Sequence, residues 1–261
     1  SLSYPVYAES ANMLQAPIQY LPLKEDRNFL PDLDAITQQE WERCQLFWIN
    51  SPHNPTTTIA KRSYLEKLLY LAEKHDFLVC SDECYHEIYY EEPPTSYLEF
   101  SNSKQWIVFR SLSKRSHMTG YRIGAILSLN ENLMALLAKM RAPMGTGTPS
   151  FIQKGGITAW TDNLHPQAFA ASYRHKRDLL KPILEQLGCH VFGAQATFYL
   201  WVSHPRWKNS QFLADQFLEK GLFVTPGTAF GADGEGYIRL SYCQTIDVCQ
   251  QIAERLSQLK L

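Results

Sequence analysis

No stretch of this 261-residue chain approaches the roughly 20 consecutive apolar residues needed to cross a bilayer. Its first residues also lack the basic-then-apolar order of a secretory signal. A soluble, cytoplasmic protein with no membrane partner is expected. Charge of one sign is equally scarce. Lys and Arg total 25 against 26 Asp and Glu, a net charge of -1, which leaves no basic footprint for nucleic acid. The cysteines Cys44, Cys80, Cys84, Cys189, Cys243 and Cys249 stand singly, without the C-x-x-C spacing of a structural zinc site, so reduced thiols and no metal are expected. Cys80 and Cys84 read as packing in and beside a strand-like run. The 13 Gly and 14 Pro are scattered, which excludes a collagen-like or low-complexity chain. What remains is an ordinary globular composition and a length that suits one large or two unequal domains.

Short apolar runs alternate with helical patterns through the first half, which predicts a mainly parallel α/β sheet covered by helices. Strands are expected at 46–49, 77–80, 107–109 and 123–127. A helix at 59–75 is expected between the first two, with Leu65, Leu68, Leu69 and Leu71 on its apolar side. From about Pro149 a long amphipathic stretch runs to Leu187. Strands at 190–192, 197–202, 222–224 and 237–241 then alternate with helices at 210–220 and 245–259. The expected division is a large domain at 1–148 and a smaller α+β domain at 149–261.

Ligands of parallel α/β sheets bind beyond the carboxyl ends of the strands, so the residues just after each apolar run carry the interest. The first run is followed by Asn50-Ser51-Pro52-His53-Asn54-Pro55-Thr56, whose prolines restrict a turn that presents an amide. The second is followed by Asp82 and Tyr85, and the third by Ser111-Leu112-Ser113-Lys114. Arg122 lies where a return of the chain brings a guanidinium to an anion beside the hydroxyls. Taken singly, these are common turn and capping residues. In this order they supply an amine, an acid, a phenol, an amide and anion-binding groups, the set that pyridoxal 5'-phosphate requires.

With these motifs the chain resembles the class I/II aminotransferases of fold type I over essentially its whole length. N-x-P-x-N-P-T at 50–56, D-x-x-Y at 82–85, S-x-S-K at 111–114 with Arg122, and Y-I-R-L-S at 237–241 occur in the family's order. Tyr4-Pro5-Val6-Tyr7 resembles the family's Y-P-x-Y turn. The resemblance implies a pyridoxal-phosphate-dependent transferase fold, a sheet with helices on both faces plus a smaller C-terminal domain. It also implies a homodimer, and amino acid and 2-oxo acid substrates. The implied catalytic residues are Lys114, which carries the cofactor aldehyde, Asp82 at the ring nitrogen and Tyr85. Tyr4 would stack on the ring, Asn54 and Tyr85 would bind its oxygen, and Ser111, Ser113 and Arg122 would hold the phosphate. Arg239, with Asn54, would clamp the substrate α-carboxylate, to which a planar guanidinium is suited.

Thr57 stands where the family usually has Gly. The resemblance also implies roughly a hundred residues ahead of Tyr4, including a phosphate-binding helix start. Within the family, the segments at 111–116 and 196–201 look most like N-succinyldiaminopimelate aminotransferases of lysine biosynthesis. An aspartate or aromatic aminotransferase, a pyridoxal-phosphate β-lyase and the effector domain of an aminotransferase-like transcriptional regulator are the alternatives.

Overall fold

The computed structural model describes residues 2–259. In chain order its elements are α1 (Val6–Met13), α2 (Gln38–Arg43), β1 (Leu46–Asn50), α3 (Arg62–His75), β2 (Leu78–Asp82), β3 (Trp106–Ser111), α4 (Leu112–Arg115), β4 (Gly124–Leu127), α5 (Glu131–Arg141), α6 (Ser150–Thr161) and α7 (Leu164–Gln186). They are followed by β5 (His190–Phe192), β6 (Tyr199–Ser203), α8 (Ser210–Leu218), β7 (Thr225–Pro226), β8 (Tyr237–Ser241) and α9 (Ile246–Leu256). The residues group into two compact units. A parallel-sheet unit comprises Leu33–Pro52 and Ala60–Phe169; an antiparallel-sheet unit comprises the chain up to Asp32, His53–Ile59 and the chain from Ala170. Because the latter is assembled from segments distant in sequence, the units coincide only partly with the 1–148 and 149–261 domains proposed from the sequence.

The parallel-sheet unit carries the order β1-β2-β3-β4. β1, β2 and β3 are parallel, but β4 pairs antiparallel with β3, Ser111 lying opposite Gly124. The Leu112–Ile123 connection contains only the single turn of α4 and a 3-10 turn at Thr119–Tyr121, too little helix for a parallel crossover. Here glycine has a steric reason: a Cβ on Gly124 would come within 2.7 Å of the Arg110 carbonyl oxygen. On α3 the buried stripe is Leu65, Leu68, Leu69 and Ala72. Ala72, not Leu71, completes it, because 100° per residue carries position 71 to the flank. α3 starts at Arg62, three residues later than the apolar pattern suggested. α2 opens on a capping box, Thr37 Oγ1 accepting from Glu40 N while Glu40 accepts from Thr37 N. The amphipathic stretch from Pro149 is two helices, α6 and α7. They part at Asp162, whose carboxylate accepts from Leu164 N at 2.8 Å.

The antiparallel-sheet unit has the order β5-β6-β8-β7. Its sheet packs against the amino-terminal segment: Leu2, Leu23, Phe29 and Trp201 form one buried cluster. Phe29 meets Phe192 edge-on at 4.7 Å, and Trp201 stacks on Tyr237 at 5.1 Å. Two expected strands shift. Thr197 has φ +65°, outside the extended region, so β6 begins at Tyr199. Residues 222–224 alternate in burial, with Phe223 86% exposed between two buried neighbours, yet pairing with β8 begins only at Thr225. Alternation records burial, and a strand also needs a partner edge.

All six cysteines are free, and Cys80 is buried in β2. Burial pushes its thiol up to about 12, with Cys44 adding to the rise. Among the described residues no three or more His, Cys, Asp or Glu side chains come together as a metal site would require, and no helix among them is long and apolar enough to cross a membrane.

Phe29→Ala is expected to cost about 3–5 kcal/mol of stability, because it empties the centre of the aromatic cluster. Phe223→Ser, on an exposed ring, should stay within about 0.5 kcal/mol of wild type. Urea unfolding of the two variants measures both.

Candidate active site

Three parallel strands end together in the parallel-sheet unit. Asn50 of β1 is in register with Asp82 of β2, and Asp82 with Phe109 of β3. Asn50 Nδ2 donates to the Asp82 carbonyl at 2.9 Å, as does Ser51 N at 3.1 Å. Beyond β2, an Asp82 carboxylate oxygen accepts from Cys84 N at 3.0 Å, which opens the turn that carries the buried Tyr85. Beyond β3, Ser111 caps α4 by accepting from Ser113 N at 3.1 Å. Lys114 follows within that turn. The thiol of Cys84 senses both arms. Burial first, and then the Asp82 carboxylate, push its pKa up, while the Lys114 and Arg110 cations pull it down. The expected acid, phenol, hydroxyls and amine are thus brought to one sheet edge, where the ligand crevices of open α/β sheets lie.

Arg122 adopts the left-handed conformation at φ +51°, and its Nη1 donates to the Thr119 carbonyl at 3.0 Å. The neighbouring Ile123 carbonyl accepts from Leu112 N at 3.3 Å, so Arg122 follows the return of the chain alongside Ser111 and Leu112.

In the antiparallel-sheet unit, Arg239 of β8 reaches Asn54, Nη1 donating to Oδ1 at 2.8 Å. The guanidinium lies over Tyr199 at 4.3 Å and Phe230 at 4.6 Å, in the manner of a cation on two ring faces. Its Nε is buried without a hydrogen-bond partner. A planar fork with an unused buried donor suits a carboxylate. Asn54 is itself buried, so the amide of the N-P-T turn faces an arginine and not bulk water. Tyr4 is 46% exposed at the start of α1, its ring edge-on to Tyr7 at 6.1 Å.

The 53–58 turn is closed on itself. His53 N donates to Thr58 O, Thr57 N donates to His53 O, and His53 Nδ1 pairs with Thr56 Oγ1 at 2.7 Å. Both Ser51-Pro52 and Asn54-Pro55 are cis. Burial lowers the His53 pKa to about 4, a backbone hydrogen bond at Leu2 opposing it, so the ring is neutral at pH 7. Thr57, where glycine was expected, keeps a glycine-like φ of +66°. The cost of a β-branched residue there is offset by its hydroxyl, which accepts from Ala194 N at 2.8 Å. Gly193 makes room for it, since a Cβ on that residue would lie 2.6 Å from Thr57 Oγ1.

Beside these strand ends, sequence reasoning missed two buried charges. Glu83 is 2% exposed and accepts from Ser81 Oγ, Ser96 Oγ and Tyr97 N, and pairs with Arg110 Nη2 at 2.7 Å. His86 Nδ1 lies 3.8 Å from Glu83, but burial and then Arg110 push its pKa down to about 4, so at neutral pH it carries no charge to pair. Arg115, directly after Lys114, is buried among Glu87, Ala159, Asp162 and Asn163. The available signal was adjacency: each charge neighbours a strand-end residue already singled out.

The family model "Aminotransferase class I and II" matches residues 1–256. The chain is 33% identical to the LL-diaminopimelate aminotransferase of Maridesulfovibrio salexigens over 99% of its own length and 68% of the relative's. It is 36% identical to that of Oleidesulfovibrio alaskensis over 98% and 67%. Among solved structures, a probable N-succinyldiaminopimelate aminotransferase from Thermus thermophilus superposes with a TM-score of 0.90 at 26% identity. That match covers 98% of this chain and 69% of the other.

Two outcomes are expected at the 53–58 turn. Thr57→Ala leaves the Ala194 N–H buried without an acceptor and should cost about 1–3 kcal/mol. Thr57→Gly loses the same bond but relieves the backbone, so it should be milder by about 1 kcal/mol. Chemical denaturation ranks the pair. The second outcome concerns pH. The folded His53 pKa lies near 4 against 6.5 for the unfolded chain, so between those values the unfolded state binds the extra proton and stability falls as pH falls. Between about pH 6.5 and pH 5 wild type should lose roughly 1.5 kcal/mol more than His53→Gln does, read from urea midpoints at each pH.

Proposed function

The chain belongs to the class I and II aminotransferase family, and from that premise we propose that it transfers an amino group between glutamate and a 2-oxo acid of the diaminopimelate type, using pyridoxal 5'-phosphate. The observation that carries the reading is the shared sheet edge with Asp82, Tyr85, Ser111, Ser113 and Lys114 at successive strand ends. These side chains fit the cofactor's donor and acceptor needs group by group. Bound there, pyridoxal phosphate supplies an aldehyde for the substrate amine and a ring that accepts electrons from the substrate Cα.

The protein's own part is to bind, orient and move protons. The Asp82 carboxylate would keep the ring nitrogen protonated, and Tyr85 and Asn54 would donate to the ring oxygen. Ser111, Ser113 and Arg122 would hold the phosphate, and Tyr4 would lie against the ring. Lys114 Nζ would anchor the aldehyde and then, once the substrate amine has replaced it, carry the proton away from Cα. Arg239 would take the α-carboxylate with Asn54 and so orient the Cα–H bond for proton transfer. As the family resemblance implies, the working form would be a cytoplasmic homodimer.

Two substrates share the reacting end that Arg239 would recognise. The named relatives favour LL-diaminopimelate, and the Thermus thermophilus structure favours the N-succinylated compound. Assays of glutamate with N-succinyl-2-amino-6-oxopimelate and of LL-diaminopimelate with 2-oxoglutarate separate them, with oxaloacetate and phenylpyruvate as the aspartate and aromatic comparisons. Activity confined to the last two would remove the diaminopimelate reading.

Lys114→Ala is expected to abolish the visible band of the bound cofactor. Arg239→Ala should weaken kcat/KM for every amino donor by a similar factor, about 10²-fold, because all share the α-carboxylate. Arg239→Lys should recover only part, since a point ammonium does not reproduce the fork. A visible band that survives Lys114→Ala counts against the assignment of Lys114.

A further inference from the structure

α4 is a single turn of four residues. One turn fixes several backbone dihedrals for one hydrogen bond, so it does not hold its shape unaided. Its first end is held by the Ser111 cap and the fully buried Leu112. Its second end is held by Arg115, which is 6% exposed and whose guanidinium is spread over a cage. Nε donates to Glu87 Oε1 at 2.6 Å, Nη1 to the Ala159 carbonyl at 2.5 Å, and Nη2 to the Asp162 carbonyl at 3.1 Å and Asn163 Oδ1 at 3.2 Å. Beside it, His165 bridges Asp162 at 2.9 Å and Ser116 Oγ at 2.8 Å. The two carbonyls belong to the end of α6 and the α6–α7 junction, where they are open because no later helical N–H reaches them.

We propose that Arg115 is a positioning residue for Lys114: it clamps the lysine turn to the α6–α7 junction and so fixes where the lysine amine sits. The proposal rests on the aminotransferase reading above. Lys114 is one peptide bond from Arg115, so any tilt of the turn moves its Cα directly. A guanidinium is required because groups on separate segments must be reached at once in a plane, which an ammonium cannot do. Sequence spacing gives no hint of this role, because the nearest of these four partners, Glu87, lies 28 residues from Arg115.

The test compares wild type with Arg115→Met, Arg115→Lys, Glu87→Gln and Asn163→Ala. Three readouts are used: steady-state kinetics with pyridoxal phosphate, a pH titration of the visible band, and amide hydrogen exchange of 111–116 without cofactor. Arg115→Met and Arg115→Lys should lower kcat about 10- to 100-fold, as expected for a displaced reacting group. KM for glutamate should stay within about twofold. The band's pH midpoint should shift, and residues 111–116 should exchange faster while the rest of the chain keeps its wild-type protection. Glu87→Gln, which removes the charge of one partner but keeps an acceptor oxygen, and Asn163→Ala, which removes one acceptor, should do the same to a smaller degree, and they carry the test if the Arg115 variants fail to fold. Wild-type kcat, band midpoint and local exchange in the folded variants would overturn the proposal. Loss of the band in Lys114→Ala together with wild-type behaviour of the Arg115 variants would discard the clamp and keep the aminotransferase reading. A band that persists in Lys114→Ala would discard that reading and with it the role proposed for Arg115.

Discussion

A charge removed from water has to be matched by partners, and the parallel-sheet unit is organised around one such charge. Glu83 is almost fully buried and is satisfied by two hydroxyls, one backbone N–H and the Arg110 guanidinium. Leaving the carboxylate or its cation unpaired in a dry interior costs several kcal/mol. The carboxylate follows Asp82 directly, and its cation precedes Ser111 directly. Satisfying one buried ion pair therefore locks the ends of β2 and β3 against each other, and those ends carry the acid, the phenol, the hydroxyls and the amine. Arg115 repeats the device on the far side of Lys114 with mostly carbonyl acceptors. The lysine turn, too short to be stable alone, is held between these two arginines.

The antiparallel-sheet unit solves a related problem with neutral groups. Its 53–58 turn buries an imidazole, an amide and three threonines, whose polar atoms are matched inside the turn, by Arg239, or against the chain near Leu2, Asn28 and Ala194. Thr57 and Gly193 form an exchanged pair. Glycine-like backbone at 57 is occupied by a threonine, and the threonine's bulk is accommodated by a true glycine at 193. The departure from the family's usual N-P-T-Gly is thereby absorbed without disturbing Asn54, which stays on Arg239.

Membership of the class I and II aminotransferases was readable because the motifs are local. N-x-P-x-N-P-T, D-x-x-Y and S-x-S-K each lie within a few residues of a strand end, and their order along the chain survives without any knowledge of packing. The strands themselves were legible to within a few residues where apolar runs were short and flanked by turn residues, as at β1, β5 and β8. Expectation and structure parted where a property depends on a partner: residues 222–224 have the alternation of a strand but no neighbouring edge to pair with, and Thr197 is turned out of β6 by a left-handed backbone.

The sequence alone therefore determined the family, through its resemblance to known motifs, and the parallel β1–β3 frame and the identity of the strand-end groups, which follow from periodicity and short-range order. Tertiary structure alone decided that Glu83 and Arg115 are buried, and that Thr57 and Gly193 compensate each other. These outcomes are set by contacts between residues far apart in the chain. Burial and hydrogen-bond satisfaction belong to the folded surroundings of a residue, and no local pattern of letters encodes them.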